Sequence, residues 1–194
     1  MFQGRLVKEA SINGDAKKVS IYFPKKSYGW ISLLIAALIF AVLAYFALQA
    51  YRMTGDIGAV FTLIVSVGLV IDFLVLTVWF FTMRYELSPK SLVVKFGPLK
   101  YAIDLETVVN VRTKNLNHTF WPSLKLPGFS IFYSSYKDEG KVFMCATRSK
   151  KDIILIETEL KKFGITPDKE EVFLAELNTY LQEIKPYKEI KRIN

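Results

Sequence analysis

The stretch WISLLIAALIFAVLAYFALQAY, Trp30 to Tyr51, runs 22 residues without a charge. Coiled at about 1.5 Å per residue, it is long enough to cross a hydrocarbon core roughly 30 Å thick, so the stretch predicts a membrane-spanning helix. Only Ser32 and Gln49 are conspicuously polar, and Trp30, Tyr45 and Tyr51 put amphipathic rings where a membrane interface holds them. A second run, IGAVFTLIVSVGLVIDFLVLTVWFFTM from Ile57 to Met83, carries one charge, Asp72. Between the two stand only Arg52 to Asp56, a linker that makes the helices antiparallel neighbours. Residues 30–83 therefore read as a two-helix transmembrane hairpin, with spans at 30–51 and 57–83. The first run is too long for a signal peptide and starts too far inside the chain.

The remaining composition agrees. Of 194 residues, 52% are hydrophobic and 23% charged, and the mean hydropathy is +0.26, which excludes a disordered tail and is unusual for an ordinary soluble domain. A single Cys145 excludes an internal disulfide, and with the single His118 it leaves too few ligands for a structural zinc cage. Neither a metal nor a cofactor is expected. No Walker loop, GxGxxG, GxSxG or HExxH occurs, so no catalytic residue is assigned.

The 26 Lys+Arg against 18 Asp+Glu give a formal charge of +8, and position tells what it is for. Arg5, Lys8, Lys17, Lys18, Lys25 and Lys26 precede the first span, Arg52 stands alone at the hairpin tip, and Arg84, Lys90, Lys95 and Lys100 follow the second. The positive-inside bias puts both termini in the cytoplasm of a two-span cell-membrane protein. The C-terminal part keeps a mild basic excess that suits a surface of anionic lipid.

From Arg84 onward the apolar period changes to two, in short segments separated by turn residues. Seven strands are predicted: Arg84 to Leu87, Leu92 to Phe96, Tyr101 to Leu105, Val108 to Lys114, Phe129 to Tyr136, Lys141 to Thr147 and Asp152 to Thr158. One amphipathic helix follows from about Pro167 to Ile184, with Phe173, Leu177, Tyr180, Leu181 and Ile184 on one face and Thr166-Pro167-Asp168 as its start signal. The chain thus divides into an N-terminal segment 1–29, the hairpin 30–83, a mainly-β domain 84–185 and a basic tail 186–194. Within the first segment, Val19 to Phe23 is a strand candidate that would join the domain.

Seven short antiparallel strands closed by a C-terminal helix resemble the pleckstrin-homology (PH) architecture. The stretches RYELSPKSLVVKFGPLKYAIDLETVVNVR (84–112), LPGFSIFYSSYKDEGKVFMCATRSKKDIILIET (126–158) and FGITPDKEEVFLAEL (163–177) are similar to the prokaryotic PH-like family, bacterial and archaeal, in which such a barrel often follows a pair of transmembrane helices. The resemblance implies a binding or scaffolding domain without chemistry of its own. One departure is visible: where phosphoinositide-binding PH domains carry Lys, a gap and then Lys/Arg-x-Arg, this chain has Lys90 and Lys95, followed by Gly97. Several cations cannot converge on ring phosphates from that pattern.

Asp72 is the most unusual residue, since a charged carboxylate inside a bilayer is costly. It is read either as part of a polar path or contact with a partner helix, or as a neutral acid bonded to Ser32 or to its copy in a homo-oligomer. Ala37, Ala41 and Ala44, with Thr62 and Ser66, allow close helix approach. The segment LNHTFWPSLKLPG, 116–128, is apolar enough to pack on the barrel or touch the membrane, through Phe120 and Trp121 with Lys125 on head groups. Lys25, Lys26, Arg84, Arg148, Lys150 and Lys151 form the candidate basic surface. No aromatics interleave with them, so a nucleic-acid partner is not expected. A membrane-bound enzyme would need Asp104, Glu106, Asp152 and Glu157 to converge in the fold. The function this composes is a non-enzymatic, membrane-anchored module that binds a partner protein or the membrane surface. The alternative is an accessory subunit of a transporter or enzyme complex, acting through the hairpin and Asp72.

Overall fold

A computed structural model describes residues 6–10, 17–117, 125–126 and 128–184. The two apolar runs form α1 (Gly29–Thr54) and α2 (Ile57–Phe81). Both are long and apolar enough to cross a membrane, and only 17% and 11% of their most apolar stretches are buried, unlike the mostly buried core helix of a soluble protein. The linker is shorter than expected. Gly55 takes the left-handed conformation (φ +68°) and donates its N–H to Tyr51, and Asp56 caps α2 by accepting from the Gly58 N–H at 3.0 Å. Arg52 to Thr54 therefore belong to the helix.

Leu33, Ala37, Ala44 and Ala47 of α1 are buried, as are Ala59, Ser66, Thr77 and Phe80 of α2. Ala41, expected on the same face, is exposed. Phe40 stacks on Phe73 (5.8 Å) and Trp30 meets Phe81 (6.1 Å), which sets the register of the hairpin. Asp72 consequently lies level with Ile39 and Phe40. Ser32 is about seven residues, or roughly 10 Å, nearer the domain, and its hydroxyl donates to the Gly29 carbonyl at 2.7 Å. The expected pairing of Asp72 with Ser32 is corrected on that account.

Eleven strands occur among the described residues. The first sheet is a meander, β1 (Leu6–Ala10), β2 (Lys17–Tyr22), β3 (Arg84–Leu87), β4 (Ser91–Phe96) and β5 (Leu99–Asp104), with neighbours in chain order. Since β2 and β3 pair antiparallel (Ser20 opposite Leu87, Tyr22 opposite Tyr85), the hairpin is an insertion within this meander. The candidate strand in the N-terminal segment is thus an inner strand of the sheet.

The second sheet contains β6 (Val108–Lys114), β7 (Lys125–Leu126), β8 (Phe129–Tyr136), β9 (Gly140–Ala146), β10 (Ile153–Thr158) and β11 (Lys162–Ile165), in the order β6-β10-β11-β9-β8-β7. The short strand β11 was not expected, and its pairing with β9 is parallel, so the barrel is not purely antiparallel. A Cβ on Gly164 would run into the Met144 side chain, so glycine here makes room for Met144 between the two strands.

The final helix, α3, covers Glu170–Ile184 and starts later than expected. Thr166 and Pro167 are held as extended chain: Lys25 N–H donates to Thr166 O and Asp168 N–H to Phe23 O, both at 2.8 Å. The amphipathic face is as read, with Phe173, Leu177, Tyr180 and Leu181 buried. These close a core formed by Tyr22, Tyr85 and Leu92 from one sheet and Ile131, Ile154 and Ile165 from the other. Leu33, Phe80 and Met83 belong to the same cluster, so the core continues into the start of α1 and the end of α2.

Candidate functional site

The site is built where the hairpin enters the domain. Two glycines decide how closely the parts approach. A Cβ on Gly29 would sit 2.2 Å from the Gly128 carbonyl oxygen, and one on Gly97 (φ +55°) 2.4 Å from the Trp79 ring. With no side chains there, Trp79 packs edge-on against Phe96 (5.9 Å) and Phe80 against Phe129 (5.3 Å), while Gly97 N–H donates to Thr82 Oγ1 at 2.9 Å.

The linker from β2 to α1 is pinned as well. Ser27 Oγ donates to Gly128 O at 2.5 Å, and Thr147 Oγ1 donates to Lys25 O at 2.6 Å. These bonds carry Lys26 alongside the turn between β9 and β10. That turn is fixed in its own right: Leu116 N–H donates to Lys150 O (2.7 Å), Tyr136 Oη to Ser149 O (3.1 Å), and Asp152 N–H to Asn115 Oδ1 (3.1 Å).

The result is a cavity of about 740 Å³ with two kinds of wall. One wall is Tyr28 and the first turns of α1, with Ile31, Ser32 and Ile35, and the other is the turn carrying Arg148, Lys150 and Lys151; Lys26 closes the rim. Arg148 pairs with Asp152. Lys26, Lys150 and Lys151 are exposed, and no described carboxylate pairs with them. Four of the six candidate basic residues thus meet at one cavity, together with Ser32. The other two are engaged elsewhere, Lys25 with Glu170 (2.7 Å) and Arg84 with Glu86 (3.0 Å).

Asp72 stands apart, exposed on the outer surface of α2. Phe120 and Trp121 lie outside the described residues, as does the side chain of Lys125. The four carboxylates of the enzyme reading do not share a cleft. Asp104 caps a short 3-10 turn through the Glu106 N–H (3.0 Å), Glu106 is exposed, Asp152 holds Arg148, and Glu157 joins an ion-pair cluster.

That cluster, and a second polar knot, were not legible in the sequence. Glu139, its side chain only 2% exposed, accepts from Arg112 (2.8 Å), Lys114 (2.7 Å) and Lys162 (2.8 Å). Burial alone would push its carboxyl up, but the bonds from Lys114 and Lys162 and the Arg112 charge hold it below the ordinary value. The bond to Glu139 is the chief reason that Lys162 titrates above the ordinary lysine range. On α3, Glu176 accepts from Ser20 (2.6 Å), Tyr22 and Tyr180 (3.0 Å), tying the helix to β2. Tyr85 lies wholly inside, donating to Cys145 O at 2.8 Å, and burial raises its phenol far above the usual range. Burial likewise pushes the Cys145 thiol up to about 12, leaving it a packing group and not a nucleophile.

Neither a curated protein nor a solved structure matches the chain. The profile of the bacterial PH domain matches residues 83–181, just over half of the chain, and that span covers β3 to β11 and most of α3. With two packed sheets closed by a C-terminal helix, and a match of that extent, the chain belongs to the bacterial PH domain family.

Proposed function

We propose that this protein is a membrane-anchored, non-catalytic binding module whose PH domain sits in a fixed pose on the cytoplasmic face of the membrane and engages that surface. The observation that carries the reading is the continuous core. Leu33, Phe80 and Met83 of the hairpin bury themselves with the domain's own residues, and each end of the hairpin passes into one of two paired strands. A domain held in this way does not swing on a tether. The end it turns toward the bilayer bears Lys26, Lys150 and Lys151, the charges an anionic leaflet attracts. The basic residues flanking the spans support the cytoplasmic placement.

Labelling tests the placement. Buried Cys145 does not react, so a membrane-impermeant maleimide reports only an introduced cysteine. Lys150→Cys is expected to label in inside-out vesicles and not in intact cells; Met53→Cys at the hairpin tip, where Met53 is 84% exposed, is expected to show the reverse. The opposite pattern overturns the reading.

A second reading, an accessory subunit acting through the hairpin, is favoured by Asp72 alone. Its carboxylate faces outward from the apolar span, and such groups in membrane helices usually meet a partner or water. Here a partner membrane protein would copurify with the full chain in mild detergent and be lost in Asp72→Asn.

A further inference from the structure

We infer that the cavity between α1 and the β9–β10 turn is a binding site for one anionic phospholipid, with the head-group phosphate among Lys26, Lys150 and Lys151 and an acyl chain laid along Ile31 and Ile35. The inference rests on the membrane-spanning reading above, and it names the ligand of the surface proposed there.

Three observations converge on it. The first is the distribution of polarity within one cavity. Ile31 and Ile35 are one helical turn apart on the same side of α1 and are 37% and 53% exposed, although they stand where the helix begins its apolar run. The lysines lie at the domain end of the same cavity. An amphipathic ligand with its anion toward the domain and its chain toward the span matches this order, whereas a free anion would leave the apolar wall unused.

The second is charge. Arg148 and Asp152 cancel, which leaves three ammonium groups on the rim with no carboxylate opposing them among the described residues. A phosphatidylglycerol head group brings a single negative charge with neutral hydroxyls. A phosphatidylcholine head group brings a quaternary ammonium that the same three lysines repel. The site is therefore selective for net charge and not merely for phosphate.

The third is preorganisation. The turn bearing Lys150 and Lys151 is held by bonds from Leu116 and Tyr136 and by the bond that Asn115 Oδ1 accepts from Asp152 N–H, and the linker bearing Lys26 by those of Ser27 and Thr147. Binding then orders little beyond the lysine side chains, so little affinity is lost to entropy. Tyr28, 80% exposed beside the rim, stands at the level where aromatic residues settle in a membrane interface.

The test is native mass spectrometry of the full chain in mild detergent, offered equal amounts of phosphatidylglycerol and phosphatidylcholine. The expected result is one retained phosphatidylglycerol in preference to phosphatidylcholine, with a loss of about five-fold for each lysine replaced by glutamine. Retention is expected to be nearly abolished in Lys26→Gln/Lys150→Gln/Lys151→Gln and unchanged in Lys161→Gln, a control on the exposed β10–β11 turn. Ile35→Trp, which fills the apolar wall without altering charge or core, is expected to lower retention of both lipids. Equal retention of the two lipids by the native chain overturns the inference, as does an undiminished preference in the triple variant. Displacement of the lipid by millimolar inorganic phosphate also overturns it, by showing that a free anion suffices. The labelling experiment is read independently: a domain on the outer face overturns the cytoplasmic placement and leaves the lipid measurement standing.

Discussion

Replacing Glu139 by glutamine would leave Arg112, Lys114 and Lys162 converging on a neutral amide in a nearly closed space. Removing one partner of a buried ion pair leaves uncompensated charge, and since the three cations keep partial contact with water the expected cost is about 2–3 kcal/mol. Thermal unfolding of the full chain in detergent measures it. The same site predicts a pH dependence. The Glu139 carboxyl is held below its ordinary value of 4.5, so its contribution is complete above that pH and is lost as pH falls through the depressed folded value. Lys162 is raised, so its contribution is complete below the ordinary lysine value of 10.5 and disappears only as pH rises through the raised one. The unfolding temperature is expected to be flat across neutrality and to fall at both extremes, with the acid fall smaller in Glu139→Gln. Nothing in Asp138-Glu139-Gly140, which falls between two predicted strands, announces a buried carboxylate, because its three partners come from strands far away in sequence.

At the scale of elements, the strands with clear alternation were legible: β4, with Leu92, Val94 and Phe96 inward, is an example. Two elements were less so, for separate physical reasons. Lys162 to Ile165 is only four residues long and buried at Phe163, Gly164 and Ile165 in succession, so it presents no period of two. Its parallel partner is about twenty residues upstream, where no turn signal leads to it. The start of α3 was misplaced because Thr-Pro-Asp is a good helix-start signal that here serves extended pairing with the 23–25 linker. The basic site was legible only as scattered residues. Lys26 and the 148–151 turn are more than a hundred residues apart, and it is the bonding of Thr147 to the linker that joins them. Glu176 gives a test of how β2 is held: Glu176→Ala removes the carboxylate to which Ser20 and Tyr22 donate. We expect a loss of about 2 kcal/mol in local stability, seen as roughly 30-fold faster amide exchange over residues 18–22 with little change in β9. Equal acceleration in both strands would show that β2 is not a separately held element.

For the whole molecule, the insertion of the hairpin into a meander makes the boundaries of the domain different from those of its longest uninterrupted stretch. A chain of residues 83–184 alone lacks β2, leaving β3 as a bare edge and removing Tyr22 from its edge-on contact with Phe173 (5.1 Å). Such an edge favours aggregation. A chain in which residues 29–81 are replaced by a short Asn-Gly turn keeps β2 beside β3. It is expected to be soluble and to unfold cooperatively, though at a lower temperature than the full protein because Leu33 and Phe80 are gone. Circular dichroism during heating compares the two, and equal behaviour would show that β2 adds nothing.

The same insertion has a consequence for biogenesis. During synthesis β2 leaves the ribosome first, and its partner β3 appears only after some sixty further residues, most of them hairpin. In a membrane-spanning chain the two strands meet only if both helices have been threaded, one in each direction. If one helix fails to insert, β2 and β3 are left on opposite sides of the bilayer and the sheet cannot close. Completion of the domain is thus a readout of correct threading, and quality-control proteases that recognise an unpaired strand would discard the chains that failed.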